Sequence, residues 1–162
     1  MNATSARINL LGLSALLLAL TGTAAAAGQP GIRAVLHPET ERKAAPGFAL
    51  QDATGKTARI EDYRGKVVLL DFWATWCTGC KMEIPWFTEF QKTYGKNGFA
   101  MVGVSLDEDG WKVLRPFLND HKIPYQMLLG DDRTAHRYGI GNLPDTFLID
   151  RQGRVAAATW RR

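Results

Sequence analysis

Two residues, Cys77 and Cys80, carry the most specific chemistry in this chain, and they are its only cysteines. They stand in the run Asp71-Phe72-Trp73-Ala74-Thr75-Trp76-Cys77-Thr78-Gly79-Cys80-Lys81-Met82-Glu83-Ile84-Pro85. Residues three apart on a helix share a face, so the two sulfurs come close enough to form and break a disulfide. At a helix start, unpaired N–H groups and the positive end of the dipole favour an anion. A thiolate placed there has a pKa below the free value of about 8.5. Cys77, at the helix tip, would attack a partner's disulfide. Cys80, more shielded, would then resolve the mixed disulfide. Two other uses of such a pair stay open: an inert structural bridge and half of a zinc site. Zinc would need two further ligands, and His37, His121 and His136 are far apart and unpatterned.

The elements that must position these thiols follow from the pattern around them. Val67 to Leu70 is a continuous apolar run after the turn signal Gly65, as expected of a strand covered on both faces. From Thr78 to Tyr94 the apolar residues Met82, Pro85, Trp86, Phe90 and Tyr94 recur at helical spacing, and Pro85 predicts a bend. Phe99 to Leu106 reads as a second buried strand. With the first strand and the helix it makes a right-handed βαβ unit. Asp107 to Gly110 reads as a turn. Trp111, Leu114, Phe117, Leu118 and His121 trace an amphipathic helix in which Pro116 predicts a kink or a late start. Tyr125 to Leu129 reads as a short strand and Asp132 to Tyr138 as a short helix. Upstream, Asp52 to Lys56 has hairpin-turn composition, with Thr57 to Ile60 as its return strand. Downstream, Asp150 to Gly153 is a tight turn and Arg154 to Trp160 a last strand.

The segment from Asp71 to Pro85 resembles the active-site segment of the thioredoxin superfamily, and most closely the TlpA/ResA-type exported thiol–disulfide reductases. The resemblance runs from about Ala45 to the C-terminus. It implies an α/β, thioredoxin-like fold: a central mixed sheet flanked by helices, an N-terminal β-hairpin entered at Ala45 to Leu50, and a central insertion. The final helix usual in the family has no counterpart before Arg162. The resemblance also assigns roles. Cys77 and Cys80 are the redox-active pair, so no separate cofactor and no metal are implied. Asp71 matches the buried acid behind the pair and would accept the Cys80 proton. Glu83 matches a glutamate that shuttles it. Gly139 to Asp150 resembles the loop and strand in which a cis proline faces the cysteines. Pro144 would be cis, and Leu143 would offer its backbone to an extended substrate. Trp76 would border the reactive sulfur as a docking surface, with Trp73 in the core.

Composition narrows the setting. Arg7, the apolar stretch Ile8 to Leu20 and the small residues Thr23 to Ala27 read as a secretory signal cleaved after Ala27. The rival is a membrane anchor over residues 8–27, about the 20 residues that cross a bilayer. Either places the domain outside the cytosol, periplasmic or otherwise extracytoplasmic, where a disulfide is the default state. Residues 28–44 read as a mobile linker and 45–162 as the thioredoxin-like domain. Without its first 27 residues the chain holds 19 basic and 16 acidic residues over 135 positions. So small a charge gives no argument for a nucleic-acid partner. The expected partners are protein thiols and disulfides, with a membrane electron donor to restore the dithiol. Apolar sheet surface left by the absent helix suggests a truncated product or a homo-oligomer that covers it.

Two departures from the family bear on redox poise. Gly79 stands where many relatives have Pro, which raises the entropy lost on closing the disulfide and pushes toward an oxidant. Asp145 stands where relatives often have Thr. Its charge disfavours the Cys77 thiolate and pushes the other way. The expected activity is that of a protein-disulfide reductase, and the resemblance implies a role of the apocytochrome c maturation type. Its rivals are a disulfide oxidant or isomerase on the same fold, and a binding or holdase module with an incidental disulfide. A peroxidase is disfavoured because the Pro-x-x-x-Thr-x-x-Cys setting is absent before Cys77, where Leu70 and Ala74 stand instead.

Overall fold

The apolar run that precedes the cysteines lies near the centre of a sheet. The computed structural model describes residues 35–158. In chain order its elements are β1 (Ala49–Asp52), β2 (Thr57–Arg59), β3 (Val67–Trp73), α1 (Thr78–Tyr94), β4 (Phe99–Ser105), α2 (Trp111–His121), β5 (Gln126–Leu129), α3 (Asp132–Tyr138), β6 (Asp145–Ile149) and β7 (Val155–Ala158). The strand order is β2-β1-β5-β4-β3-β6-β7. β4 pairs in parallel with both β3 and β5, and the other neighbours are antiparallel. The sheet is therefore mixed and flanked by helices, with the β1–β2 hairpin added at one side, as the resemblance implies. Local chemistry makes that hairpin. Asp52 Oδ1 accepts hydrogen bonds from Thr54 N–H, Thr54 Oγ1–H and Lys56 N–H at 2.8, 2.7 and 3.1 Å. Gly55 supplies the positive φ of 86° that the turn needs.

Two cores lie on opposite faces of the sheet, because alternate residues of a strand point to opposite sides. Val68, Leu70 and Phe72 pack with Val102, Val104, Ile60, Tyr63 and Tyr138 on one face. Leu69 and Trp73 face the other way, toward Cys80, Ile84 and Phe87 of α1 and Leu114 of α2. Gly103, paired with Asp71 in the β3–β4 ladder, lets this second core close. A Cβ there would collide with the Met127 sulfur and stand 3.2 Å from the Trp73 indole nitrogen.

α1 is the helix that the spacing predicts, and its inward side is not the most apolar one. Its buried face is Cys80, Glu83, Ile84 and Phe87. Gln91 continues this face and accepts the Met101 N–H of β4 at 2.8 Å. The apolar series Met82, Trp86, Phe90 and Tyr94 instead faces outward and is exposed. The helix carries two stripes, and the larger side chains form the outer one. Pro85 and Pro116 both lie inside continuous helices, so the late start considered for α2 does not occur.

The sheet surface expected to lie bare is only half-buried at Leu69 and Leu148, and Ala157 is buried. Among the described residues, the most exposed large apolar side chains near the cysteines are Trp76, Met82 and Trp86. Residues 1–34, which hold the signal or anchor segment, and 159–162 lie outside the described residues. Residues 37–44, which the sequence reads as part of the linker, run with Ala45 alongside β7. His37 N–H donates to Ala156 O, Val155 N–H to Lys43 O, and Ala45 N–H to Gly153 O, at 2.8, 2.8 and 2.9 Å. Arg42 and Arg154 both reach Asp150, and Arg154 also reaches Glu39.

Candidate active site

β3 ends at Trp73, and the chain crosses Ala74-Thr75-Trp76 before α1 begins. Cys77 is the residue that caps this helix. Its Sγ accepts the Cys80 N–H at 3.2 Å, in the place usually taken by a Ser or Asp oxygen. The two cysteines form a disulfide with Cα atoms 5.3 Å apart. Cys77 is 7% exposed and Cys80 1%, so the outer sulfur is the one nearer to solvent. Trp76 beside it is 67% exposed. It borders a shallow groove of about 320 Å³ with Thr75, Asp107, Glu108, Asp109 and Val113.

Across from the pair lies the loop before β6. The Leu143–Pro144 peptide bond is cis, and Pro144 is buried. A Cβ at Gly79 would stand 3.5 Å from Pro144 Cδ, an ordinary contact distance, so the Cys-Thr-Gly-Cys loop rests against this ring. Leu143 is half-buried and touches both cores.

Carboxyls gather behind the disulfide. Asp71 shares the α1-facing side of β3 with Leu69 and Trp73. It is buried and accepts a hydrogen bond from Thr146 Oγ1 at 3.0 Å. Burial pushes its carboxyl well above the usual range, and the Glu83 charge pushes the same way. The Thr146 hydrogen bond opposes both, and Asp145 adds a smaller upward push. Glu83, one turn after Cys80, is 3% exposed, which excludes a solvated surface glutamate. Asp145, opposite Phe72 in the β3–β6 ladder, is pushed up to about 6 by burial, against the pull of the Thr146 N–H. The Tyr125 hydroxyl is raised as well, by burial and then by the Asp71 charge. Such a site resists negative charge wherever it forms.

Of the seven residues singled out in the sequence, Cys77 and Cys80 form the disulfide, and Trp76 adjoins it in the chain. Glu83 lies on the same buried face of α1 as Cys80, and Leu143 packs on the same core. Pro144 stands against Gly79, and Asp71 lies on the side of β3 that faces α1. The sequence reading missed Tyr125, which sits just before β5 with no local pattern to flag it. It also missed the pairing of Thr75 with Asp107. There a signal existed, because a buried strand ends on the polar Ser105 and is followed two residues later by Asp107. Among the described residues, no group of three or more His, Cys, Asp or Glu is placed to hold a metal ion.

Comparison with known proteins matches this geometry. A thiol–disulfide oxidoreductase named ResA from Geobacillus thermodenitrificans is 38% identical over 112 residues, covering 68% of this chain and 64% of the relative. The ResA of Bacillus subtilis is 35% identical over 117 residues, covering 72% and 65%. The chain thus spans a little under two thirds of the length of these curated relatives. The thioredoxin domain of a thiol–disulfide oxidoreductase from Bacteroides vulgatus superposes with a TM-score of 0.69 at 26% identity, over 74% of this chain and 88% of that one. A sequence profile described as the AhpC/TSA family matches residues 42–158. With its cysteine pair at a helix tip and its central mixed sheet, the chain belongs to the AhpC/TSA family of the thioredoxin superfamily.

Proposed function

We propose that this chain is an exported thiol–disulfide oxidoreductase that reduces disulfides in other proteins. One observation carries the reading: Cys77 caps α1 next to exposed Trp76, while Cys80 is enclosed one turn further in. The Cys77 thiolate attacks one sulfur of a substrate disulfide. That S–S bond breaks, a mixed disulfide forms, and the substrate's other sulfur leaves as a thiolate that takes up a proton. Cys80 then gives its proton to Asp71 or Glu83 and attacks Cys77 Sγ. The second substrate thiol departs, two electrons have passed to the substrate, and the enzyme holds the Cys77–Cys80 disulfide. Leu143 and cis-Pro144 supply the backbone edge along which the substrate segment lies.

The carboxyl cluster favours the reducing direction. A site that resists charge on Asp71 and Asp145 also resists a buried thiolate, so it disfavours the dithiol form and makes it the better electron donor. The names of the ResA relatives support thiol–disulfide exchange. The apolar N-terminal stretch supports an extracytoplasmic location, either cleaved or anchored. A membrane electron donor and a client of the apocytochrome c type complete the proposal. Any self-association would use the sheet face that the absent helix leaves, and no separate cofactor is required.

The test is the reduction potential of the Cys77–Cys80 pair in thiol buffers of graded poise, read by Trp fluorescence and thiol trapping. A value near or below about −270 mV is expected of a reductant. A value near about −120 mV would make the protein an oxidant or isomerase instead.

A further inference from the structure

The turn after β4 carries an acid that the exchange chemistry above does not use. Asp107 is 6% exposed and Ser105 is fully enclosed. Asp107 Oδ2 accepts the Thr75 N–H at 3.0 Å and the Ser105 hydroxyl at 2.7 Å, and Oδ1 accepts the Thr75 hydroxyl at 2.6 Å. The Asp107 N–H donates back to Ser105 Oγ at 3.2 Å. Hydroxyl contacts this short are those of charge-assisted bonds.

Thr75 lies in the connection that leads to Cys77. No strand ladder or helix supports this connection. It is tied at Trp73, whose carbonyl accepts the Leu106 N–H at 2.8 Å, and at Cys77, whose N–H donates to Ala74 O at 3.1 Å. Thr75 is the point between these ties, and Asp107 holds both its backbone and its side chain. We propose that Asp107 is a positioning residue for the thiol chemistry: acting through Thr75, it fixes the connection that presents Cys77 at the tip of α1. The need for such a clamp is geometric. The field of a helix end fades within its first turn, and Cys77 Sγ meets the Cys80 N–H at 3.2 Å. Trp76 follows Thr75 directly, so the same clamp sets the indole beside the sulfur.

The inference rests on the reading of Cys77 as the attacking thiol, and the experiment separates the two. The parent is the full chain with Cys80→Ser, in which Cys77 is the only thiol. Its alkylation by iodoacetamide is followed against pH, together with the rate at which it traps a model peptide disulfide. A parent with no trapping and a free-cysteine midpoint near about 8.5 overturns the Cys77 reading, and the clamp with it. Thr75→Val is then added. It keeps the branched shape and the Asp107 charge and removes only the hydroxyl tie. We expect the alkylation midpoint to rise toward the free-cysteine value and trapping to slow by about tenfold. Thr75→Ser, which keeps the hydroxyl, restores both to the parent values. Asp107→Asn slows trapping as Thr75→Val does. If Thr75→Val and Asp107→Asn lower the melting temperature yet leave midpoint and trapping rate at the parent values, the clamp is only structural and the proposal is overturned.

Discussion

Asp107 and Asp71 are the same residue type on two sides of one disulfide, and the protein treats them in opposite ways. Asp107 sits beside the connection to Cys77, met by the Thr75 N–H and by the hydroxyls of Thr75 and Ser105. Asp71 sits behind the disulfide, met by the Thr146 hydroxyl and facing the charge of Glu83. Both are buried, at 4% and 6% exposed, and burial is the largest push on Asp71; what differs between the two is the supply of donors. A carboxylate given donors becomes a fixed joint. A carboxyl with few donors and close to another acid binds a proton more tightly, and so can take one from a neighbouring thiol.

The contrast makes opposite predictions for deleting the two acids. The largest effect is expected at Asp107→Ala, which strands the part-buried Thr75 N–H and two hydroxyls. It should destabilise the oxidised protein by about 3 kcal/mol in urea unfolding at pH 7. No loss there would erase the distinction drawn above. Asp71→Asn should do the reverse and stabilise the oxidised protein at pH 7, by roughly 1–3 kcal/mol. The sign follows from linkage. The folded pKa of Asp71 is raised, so its penalty is absent below the unfolded value of about 4, grows as pH rises above it and levels off beyond the folded value. The gain from Asp71→Asn should therefore vanish in acid. A gain independent of pH would mean that packing, not charge, is responsible. The smallest effect is expected at Asp145→Asn, because Asp145 is only half-buried. Its carboxyl is raised to about 6. The variant should match the wild type near pH 4 and exceed it above pH 6, by about 1 kcal/mol after solvent screening.

How far the sequence could be read depended on whether the relevant force was local. β3 and α1 were legible because a continuous apolar run and a helix-spaced pattern are local facts. The same pattern left open which way Met82, Trp86, Phe90 and Tyr94 face. Periodicity places residues on one stripe but does not say whether that stripe faces inward. Glu83 and Gln91 show the reason, because two polar side chains lie on the inward side of α1. The cysteines and Pro144 were legible through resemblance. The clamp was not, because Thr75 and Asp107 are 32 residues apart and the bond between them exists only once β3 and β4 lie side by side. The docking of residues 37–45 on β7 was hidden for the same reason.

That docking has a consequence for how this domain would behave in a crowded cell. A final strand with a free side is an invitation to another chain, since its unpaired N–H and C=O groups template further pairing. Here Val155 and Ala156 already have backbone partners in Lys43 and His37. At the opposite margin, β2 alternates Thr57 and Arg59 outward, and Lys56 and Arg64 flank it, which discourages pairing by charge. Proteolysis near residue 45 would therefore leave the redox centre intact and remove a guard. The expected result is a shortened protein that still exchanges disulfides in dilute solution and aggregates when concentrated.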